Sequence, residues 1–440
     1  MTIEYSEIMI PVSEWQLGMH VIRLDRPWTE TDFLMQGFII DDNEVIDALT
    51  AQCKFVYIEG RTKIQVEHTA HAATKTTKPK KSLFSRFTTS NRPINQNNQT
   101  LVNKSPQGKK KISYINKIST EKALPAAKAA YSSAKGTVNN IMSGIRIGRM
   151  IDMNEARETV NHIVDGILQN KDALAWLTKI KDKDEYTAEH SLNVSILSAT
   201  FARHLGHDET DIKKIALGGL LHDVGKAKIP IEVLNKEGRF TDEEFSIMKQ
   251  HTVFGRNLLM SMPKRDHYVI DIAHSHHERM DGQGYPRKLT DSQIPYFAKV
   301  ISIVDAYDAI TSSRCYDKGR ASMEALDIIY KCRGTQFDAE LALEFIKCIG
   351  IYPPGAIIEL NTGEVGIVIE TDEKNKLKPR ILLVLGKDKK ACQQKIIDLS
   401  LNIQNDAGKY LRISCELING SYNIWLEDYI KRGLLLSKST

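Results

Sequence analysis

The chain has 440 residues, more than one typical domain core holds, so two or three domains are expected. Apolar residues make up 42% and charged residues 26%, which indicates neither wholesale disorder nor a membrane protein. No stretch approaches the roughly 18 apolar residues that cross a bilayer, and no basic region precedes an apolar run at the start. We therefore expect a cytoplasmic protein without a membrane span.

Residues 1–70 show short β-rich runs, such as His20–Ile22 and Phe55–Ile58, and a short helical pattern around Val45–Thr50. These patterns predict a small α+β accessory domain. Residues 71–120 then contain eleven Lys and Arg residues and no acidic residue. A segment this polar cannot bury enough apolar area to offset its ordering entropy, so we predict a basic flexible linker.

The basic linker leaves a second interpretation open, which is attraction to nucleic acid, anionic lipid or an acidic partner. Its aromatic residues do not recur at regular spacing, as a platform for stacking bases would need. We expect no DNA or RNA partner.

From residue 121 onward the apolar pattern is that of helices, and the fold class is predicted to be mainly α. The face formed by Val160, Ile163, Val164 and Ile167 repeats at a period of 3.6 residues. We predict a helical lead-in over 121–183, a helical domain over 184–349, and a β-rich extension over 350–440. The strand patterns of the extension are Ala356–Leu360, Val365–Ile369 and Ile381–Leu385.

Histidine and aspartate residues recur through the helical region in a pattern that a metal site would need. Each one alone is weak evidence, because a lone histidine is usually a surface or hydrogen-bonded core residue. Together they mix imidazoles with carboxylates and include no thiolate, which favours Fe, Mn, Ni, Co or Zn over a structural cysteine site. The candidates are His190, His222, Asp223, His251, His276, His277 and Asp305.

The pair His222–Asp223 follows the apolar run Ile215–Leu221, so a helix presents both side chains from its buried end before Gly225 terminates it. A buried carboxylate without compensation costs several kcal/mol. A metal ion, or the neighbouring Lys226, would offset that cost.

A second carboxylate, Asp305, lies within a mostly apolar helix and is also expected inside the protein. Asp308, one turn later, either shares the site, binds substrate or is exposed. The adjacent His276 and His277 would lie about 100° apart on a helix, which predicts that they reach two neighbouring ions. Thr241 begins a capping box, and we expect its helix to carry His251 in its middle.

Two motifs now resemble a known family. His222–Lys226 (HDVGK) and His276–Pro286 (HHERMDGQGYP) resemble the HD-GYP subgroup of the HD phosphohydrolase superfamily. The resemblance extends over about 184–349, with flanking similarity at Glu185–Val194, Val304–Ser312 and Gly334–Asp338. The first part of the chain looks like the uncharacterised domain that often precedes bacterial HD-GYP modules, and Tyr352–Ile369 resembles their β-rich tail.

The resemblance implies an HD-type helical bundle that uses two divalent metal ions, Fe or Mn first and Ni, Co or Zn otherwise. It implies hydrolysis of cyclic di-GMP to pGpG, with GMP as a further product. All seven candidates above become metal ligands, with Asp223 bridging the ions and Lys226 contacting the phosphate or donating a proton. The substrate would be bound by Gly284, Tyr285, Pro286, Asp308, Arg314 and Lys318.

Two positions depart from the family pattern. Asp317 stands where many members have a basic residue for the second phosphate, so Lys318 is only a displaced candidate. Tyr186 stands where some members place a glutamate that holds a third metal, so we expect two metals, with Glu185 as the alternative third-metal ligand.

Two other functions stay open. One is a phosphodiesterase for another cyclic dinucleotide, such as cyclic GMP-AMP, since base selectivity depends on pocket shape. The other is a weakly active sensor or scaffold that binds a cyclic dinucleotide or a diguanylate cyclase domain protein. A homodimer is also among the expected assemblies.

Overall fold

The computed structural model describes residues 7–26, 38–40, 43–59, 111–179, 186–312, 320–371, 375, 377–404, 408 and 410–432. The chain forms two compact units, Met1–Thr100 and Leu101–Thr440.

The described part of the first unit is a small α+β fold, as predicted. Its strands β1 (Glu7–Pro11), β2 (His20–Leu24), β3 (Phe38–Ile39) and β4 (Phe55–Glu59) form an antiparallel sheet in the order β1-β4-β2-β3, and α1 spans Asn43–Gln52. Val56 and Ile58 of β4 are completely buried, as is Leu49 of α1. Every second residue of β4 is thus buried, which is typical of a sheet with one face against a core.

The second unit is mainly helical, which confirms the predicted fold class. In chain order its helices are α2 (Thr120–Arg146), α3 (Met153–Gln169), α4 (Lys171–Leu177), α5 (Tyr186–His204), α6 (Glu209–Leu221), α7 (Ile231–Leu234), α8 (Asp242–Lys249), α9 (His251–Met260), α10 (His267–Ser275), α11 (Tyr296–Thr311), α12 (Ser322–Lys331), α13 (Ala339–Ile349) and α14 (Leu426–Arg432). A short 3-10 turn, Val224–Lys228, follows α6.

Helices α5, α6 and α11 form the centre of the bundle. Helix α5 is buried along most of its length, and Val300 and Val304 of α11 are fully buried, as expected for helices enclosed by others. Gly219 of α6 lies so close to α5 that a Cβ there would be 3.0 Å from the Cα of Ser195. With α5 and α6 packed this closely, the rings of His190 and His222 lie 5.3 Å apart between centroids.

The β-rich extension is confirmed. Strands β5 (Ile357–Leu360), β6 (Val365–Glu370), β7 (Arg380–Leu385), β8 (Ala391–Asp398) and β9 (Ile413–Leu417) form an antiparallel sheet in the order β8-β7-β6-β5-β9. Hydrogen bonds to several helices hold it in place, and two of them show the pattern. Trp176 Nε1 donates to the carbonyl of Val368 at 3.0 Å, and the Glu416 carboxylate accepts from the Ser322 amide at 3.3 Å, at the start of α12.

Most of the predicted linker lies outside the described residues, but its last part does not behave as a flexible tether. The Ile112 amide donates to the Gly206 carbonyl at 3.0 Å, and the Tyr114 hydroxyl donates to the His207 carbonyl at 2.9 Å. The Arg203 guanidinium lies 5.7 Å from the centre of the Tyr114 ring. Residues 111–119 therefore belong to the helical unit. The charge pattern does not reveal this, because the contacts come from Ile112 and Tyr114.

Candidate metal centre

The seven predicted metal ligands converge in two clusters. The first cluster is His190, His222 and Asp305; the second is Asp223, His251, His276 and His277. Within each cluster the ligand atoms lie within 4.8 Å of one another. His190 comes from α5, His222 and Asp223 follow α6, His251 begins α9, His276 and His277 follow α10, and Asp305 lies in α11.

Asp223 lies between the two clusters. Its Oδ2 is 3.3 Å from His222 Nε2 and 3.7 Å from His190 Nε2. Its Oδ1 is 3.3 Å from His251 Nε2 and 3.7 Å from His276 Nε2. One oxygen faces each cluster, which is the arrangement that a bridging carboxylate requires.

Asp305 makes a second connection between the clusters. Its Oδ1 lies 2.9 Å from His190 Nε2 and 3.8 Å from His222 Nε2, while its Oδ2 lies 3.9 Å from His277 Nδ1. The two clusters therefore share two carboxylates across one buried space.

Three of the imidazoles are oriented by main-chain carbonyls. His222, His251 and His276 donate from Nδ1 to the carbonyls of Gly219, Met248 and Ile272 at 2.7, 2.7 and 3.1 Å. A carbonyl can only accept, so Nδ1 carries the hydrogen and Nε2 of the neutral ring directs its lone pair into the site. Metal-binding histidines are commonly held in this way.

Two buried polar atoms without hydrogen-bond partners among the described residues also indicate that the clusters suit divalent cations. His222 Nε2 and Asp223 Oδ1 are buried and have no hydrogen-bond partner in the described part of the chain. A buried polar atom without a partner costs about 1–3 kcal/mol. Imidazole and carboxylate donors without thiolate suit divalent first-row ions, and a bound cation would satisfy both atoms.

The two clusters differ in charge. Burial disfavours a charge on His222, but Asp223 and Asp305 outweigh it and raise the pKa of His222 to about 10. Burial lowers the pKa of His251 to about 3, and Lys226 and His276 act in the same direction. A cation that enters the first cluster must therefore displace a proton, whereas the His251 imidazole is already neutral.

Lys226 lies beside the carboxylate of Asp223. Its ammonium group pairs with Asp223 Oδ2, and about a fifth of the lysine side chain is exposed. Burial opposes ionisation of Asp223, yet Lys226 and His222 hold the pKa of Asp223 well below its usual range. Asp223 is therefore ionised at neutral pH, and the partly exposed ammonium group of Lys226 lies next to it.

Gly225 allows α9 to approach this point. A Cβ at Gly225 would overlap the main-chain carbonyl oxygen of His251 and the amide nitrogen of Gly255. The glycine of the HDVGK motif therefore permits the second cluster to form, because any side chain there would push His251 away from Asp223.

The position of His251 differs from the prediction. The capping box at Thr241 is confirmed, but its helix ends at Lys249 and His251 is the first residue of α9. The Gln250 amide donates to the Ile247 carbonyl at 3.0 Å, so the last turn of α8 tightens before α9 begins. His251 is thus at a junction and not in the middle of a helix.

The histidine pair also differs from the prediction. Helix α10 ends at Ser275, so His276 and His277 lie in a turn closed by the hydrogen bond from the Glu278 amide to the Ser275 carbonyl. His276 keeps helical backbone angles as the C-cap of α10, so the pair lies at the end of the helix and not within it. Both histidines fall in the second cluster, with only His277 Nδ1 directed also toward Asp305.

The loop around Gly284–Pro286 packs against the histidine turn. A Cβ at Gly284 would overlap main-chain atoms of residues 277–279, so the glycine serves a close approach within the chain. The Tyr285 amide donates to the His277 carbonyl at 3.2 Å, and the two rings lie 4.7 Å apart between centroids at 32°. Tyr285 is thereby held at the edge of the second cluster.

The chain is similar in sequence to known proteins over most of its length. A family model described as HD domain matches residues 175–341, and a model described as a domain of unknown function matches residues 7–156. The cyclic di-GMP phosphodiesterase PA4108 of Pseudomonas aeruginosa is 31% identical over 400 residues, which cover 90% of each chain. The chain belongs to the HD-GYP family.

Shorter relatives match the HD-GYP region. A cyclic di-GMP phosphodiesterase of Thermotoga maritima is 35% identical over 193 residues, which cover 44% of this chain and 52% of that protein. The 3'3'-cGAMP-specific phosphodiesterase 1 of Vibrio cholerae is 32% identical over 157 residues, which cover 36% of each. Among the described helices, none combines the length and apolar character that crossing a bilayer requires.

The predicted substrate residues are only partly described in this HD-GYP chain. Asp308 is buried behind the first cluster, where its Oδ2 accepts from His190 Nδ1 at 2.8 Å. Gly284, Tyr285 and Pro286 border the second cluster. Arg314, Lys318 and the alternative third-metal ligand Glu185 lie outside the described residues.

Sequence reasoning assigned no role to Glu278, which holds the HD-GYP loop in place. Its carboxylate is buried and accepts from the Arg287 amide at 2.7 Å and the Leu289 amide at 2.9 Å. The signal was its position directly after His276–His277, inside the long second motif. The buried carboxylate of Glu278 thus satisfies two main-chain amides of the loop.

Proposed function

We propose that the protein is a metal-dependent phosphodiesterase that hydrolyses cyclic di-GMP to pGpG, with GMP as a further product. The observation that carries the proposal is the position of Asp223, with one oxygen facing each of two buried ligand clusters. The names of the Pseudomonas and Thermotoga relatives support cyclic di-GMP as the substrate.

The two clusters support a ligand role for each of the seven residues. His190, His222 and Asp305 would hold one divalent cation, and His251, His276 and His277 would hold the other, with Asp223 between them. Two such cations, when bound, supply Lewis acidity to a phosphodiester and lower the pKa of an attacking water. Fe or Mn is the proposed metal, with Ni, Co or Zn as the alternatives, because the donors are imidazole and carboxylate.

The other side chains bind and orient the substrate. Lys226, whose ammonium group lies beside Asp223 and is partly exposed, would contact a phosphate oxygen or deliver a proton to the departing 3' oxygen. Tyr285 would border the nucleotide at the loop Gly284–Pro286, and Asp308 would act through His190. Arg314 and Lys318 are proposed to contact the substrate phosphates.

The test is hydrolysis of cyclic di-GMP by protein purified without oxygen and supplied in turn with Fe(II), Mn(II) and Ni(II). Turnover should be seen with at least one metal and be lost in Asp223→Ala with the same metals. Absence of turnover in wild-type protein that holds two ions would contradict the proposed substrate.

A second candidate substrate is cyclic GMP-AMP, because a Vibrio cholerae relative is named for that activity. The metal clusters would act on either phosphodiester. A panel of cyclic dinucleotides compared by kcat/KM separates the two, and binding without turnover would favour the sensor or scaffold. The cytoplasmic location, a homodimer and a diguanylate cyclase partner remain proposals.

A further inference from the structure

Helix α8 places an exposed aromatic ring beside the substrate loop. Phe245 is 44% exposed, and its ring meets the ring of Tyr285 edge to face, with 6.2 Å between centroids. Tyr285 in turn lies 4.7 Å from the ring of His277. An unbroken series of rings therefore leads from solvent to the second cluster.

A lysine accompanies this ring. Lys249 lies one helical turn after Phe245, and its Nζ is 4.9 Å from the centre of the Phe245 ring. In the part of the chain that the structure describes, Lys249 has no carboxylate partner. An aromatic ring and an ammonium group without a carboxylate partner among the described residues thus lie side by side, next to Tyr285.

Packing of the fold does not account for this pair. A ring with nearly half of its surface exposed contributes less hydrophobic stabilisation than a buried one. Bases stack on aromatic side chains in many nucleotide-binding proteins, and a lysine beside the ring suits an anionic nucleotide.

We propose that Phe245 and Lys249 contact the part of the substrate that lies away from the cleaved bond. Phe245 would stack on a base and Lys249 would contact the second phosphate. The inference rests on the proposed function, since a cyclic dinucleotide has two bases and two phosphates while the metal centre cleaves one bond at a time. The pair would make the enzyme selective for dinucleotides over simple phosphodiesters.

The experiment compares wild type, Phe245→Ala, Phe245→Tyr and Lys249→Ala, each loaded with metal. Two substrates are used: cyclic di-GMP and bis(p-nitrophenyl) phosphate, a diester with no base. For Phe245→Ala we expect KM for cyclic di-GMP to rise about tenfold, with kcat changed far less, and activity on the simple diester to be retained. Phe245→Tyr should restore KM, because it keeps the ring.

Lys249→Ala should also raise KM for cyclic di-GMP, and the effect should shrink as salt is added, because salt screens an exposed charge.

The matched control is Ile247→Ala. Ile247 is 39% exposed on the same helix, but residues two apart do not share a helix face. Ile247→Ala should therefore change neither the KM for cyclic di-GMP nor the activity on the simple diester.

Three results would overturn the inference. They are an unchanged KM in Phe245→Ala, an equal loss on both substrates, and an equal effect of Ile247→Ala. Failure of the proposed function gives a different pattern, in which wild type cleaves the simple diester but not cyclic di-GMP. That result would remove the cyclic di-GMP assignment and the inference built on it.

Discussion

The two ligand clusters are built in different ways. The first takes His190 and Asp305 from within α5 and α11, which are held by the core of the bundle. The second takes its histidines from the start of α9 and the turn after α10. A carboxylate lies behind His190 in the first cluster, whereas main-chain carbonyls orient His222 there and His251 and His276 in the second.

Because they are built differently, the two clusters should be lost through different substitutions. The first depends on the packing of long buried helices and on negative charge. The second depends on junctions, above all on the approach of α9 to Gly225. Asp223 is the residue on which both depend, so substitutions can be chosen that remove both clusters, the second alone or the first alone.

The largest effect is expected from Asp223→Asn, which keeps the shape of the side chain and removes the charge that the clusters share. Metal content should fall at both clusters. Turnover should fall by more than the about 10- to 100-fold typical of changes behind a metal ligand. Metal analysis and cyclic di-GMP turnover measure both, and a variant that retains two ions would contradict the bridging role.

Gly225→Ala should disturb the second cluster selectively, since the added Cβ overlaps the His251 carbonyl oxygen. We expect the free energy of unfolding to fall by about 1–3 kcal/mol, the cost of inserting a methyl group into a packed interior. Bound metal should fall toward one ion per chain, measured by metal analysis of the folded protein.

The matched control for this substitution is Gly136→Ala in α2, where nothing lies within 4 Å of the added Cβ. Alanine favours helix over glycine, so this variant should be at least as stable as wild type. Equal losses in the two variants would show that the junction at Gly225 has no special role.

Asp308→Asn should weaken only the first cluster and have the smallest effect. The amide oxygen can still accept from His190 Nδ1, but the negative charge behind the imidazole is gone. We expect metal affinity at one site to fall by about 10- to 100-fold and excess metal to restore turnover. A calorimetric metal titration checks this, with the second site as the internal control; equal weakening of both would contradict it.

The sequence allowed prediction of the helices, the C-terminal strands and the residues that form the two clusters, because these follow from apolar periodicity and from two dense motifs. Asp305, for example, stands within an apolar helix, and the helix was found as expected. The role of Asp308 could not be predicted, since its partner His190 is 118 residues away.

The break before His251 and the shared cluster of His276 and His277 were also beyond the local pattern. Both depend on where a helix ends, and α9 begins where Gly225 lets it approach the HDVGK turn. Local propensity sets the existence of a helix better than its boundary. Contacts between segments distant in sequence determine where these two helices begin and end.

In the proposed centre, Asp223 joins two metal ions. Electron paramagnetic resonance of Mn(II)-loaded protein tests it directly, because two Mn(II) ions bridged by a carboxylate give a spin-coupled spectrum. We expect that coupled signal, with two ions per chain, in wild-type protein and its loss in Asp223→Asn. A signal of isolated Mn(II) ions only, in wild-type protein shown to contain two per chain, would contradict the bridged centre.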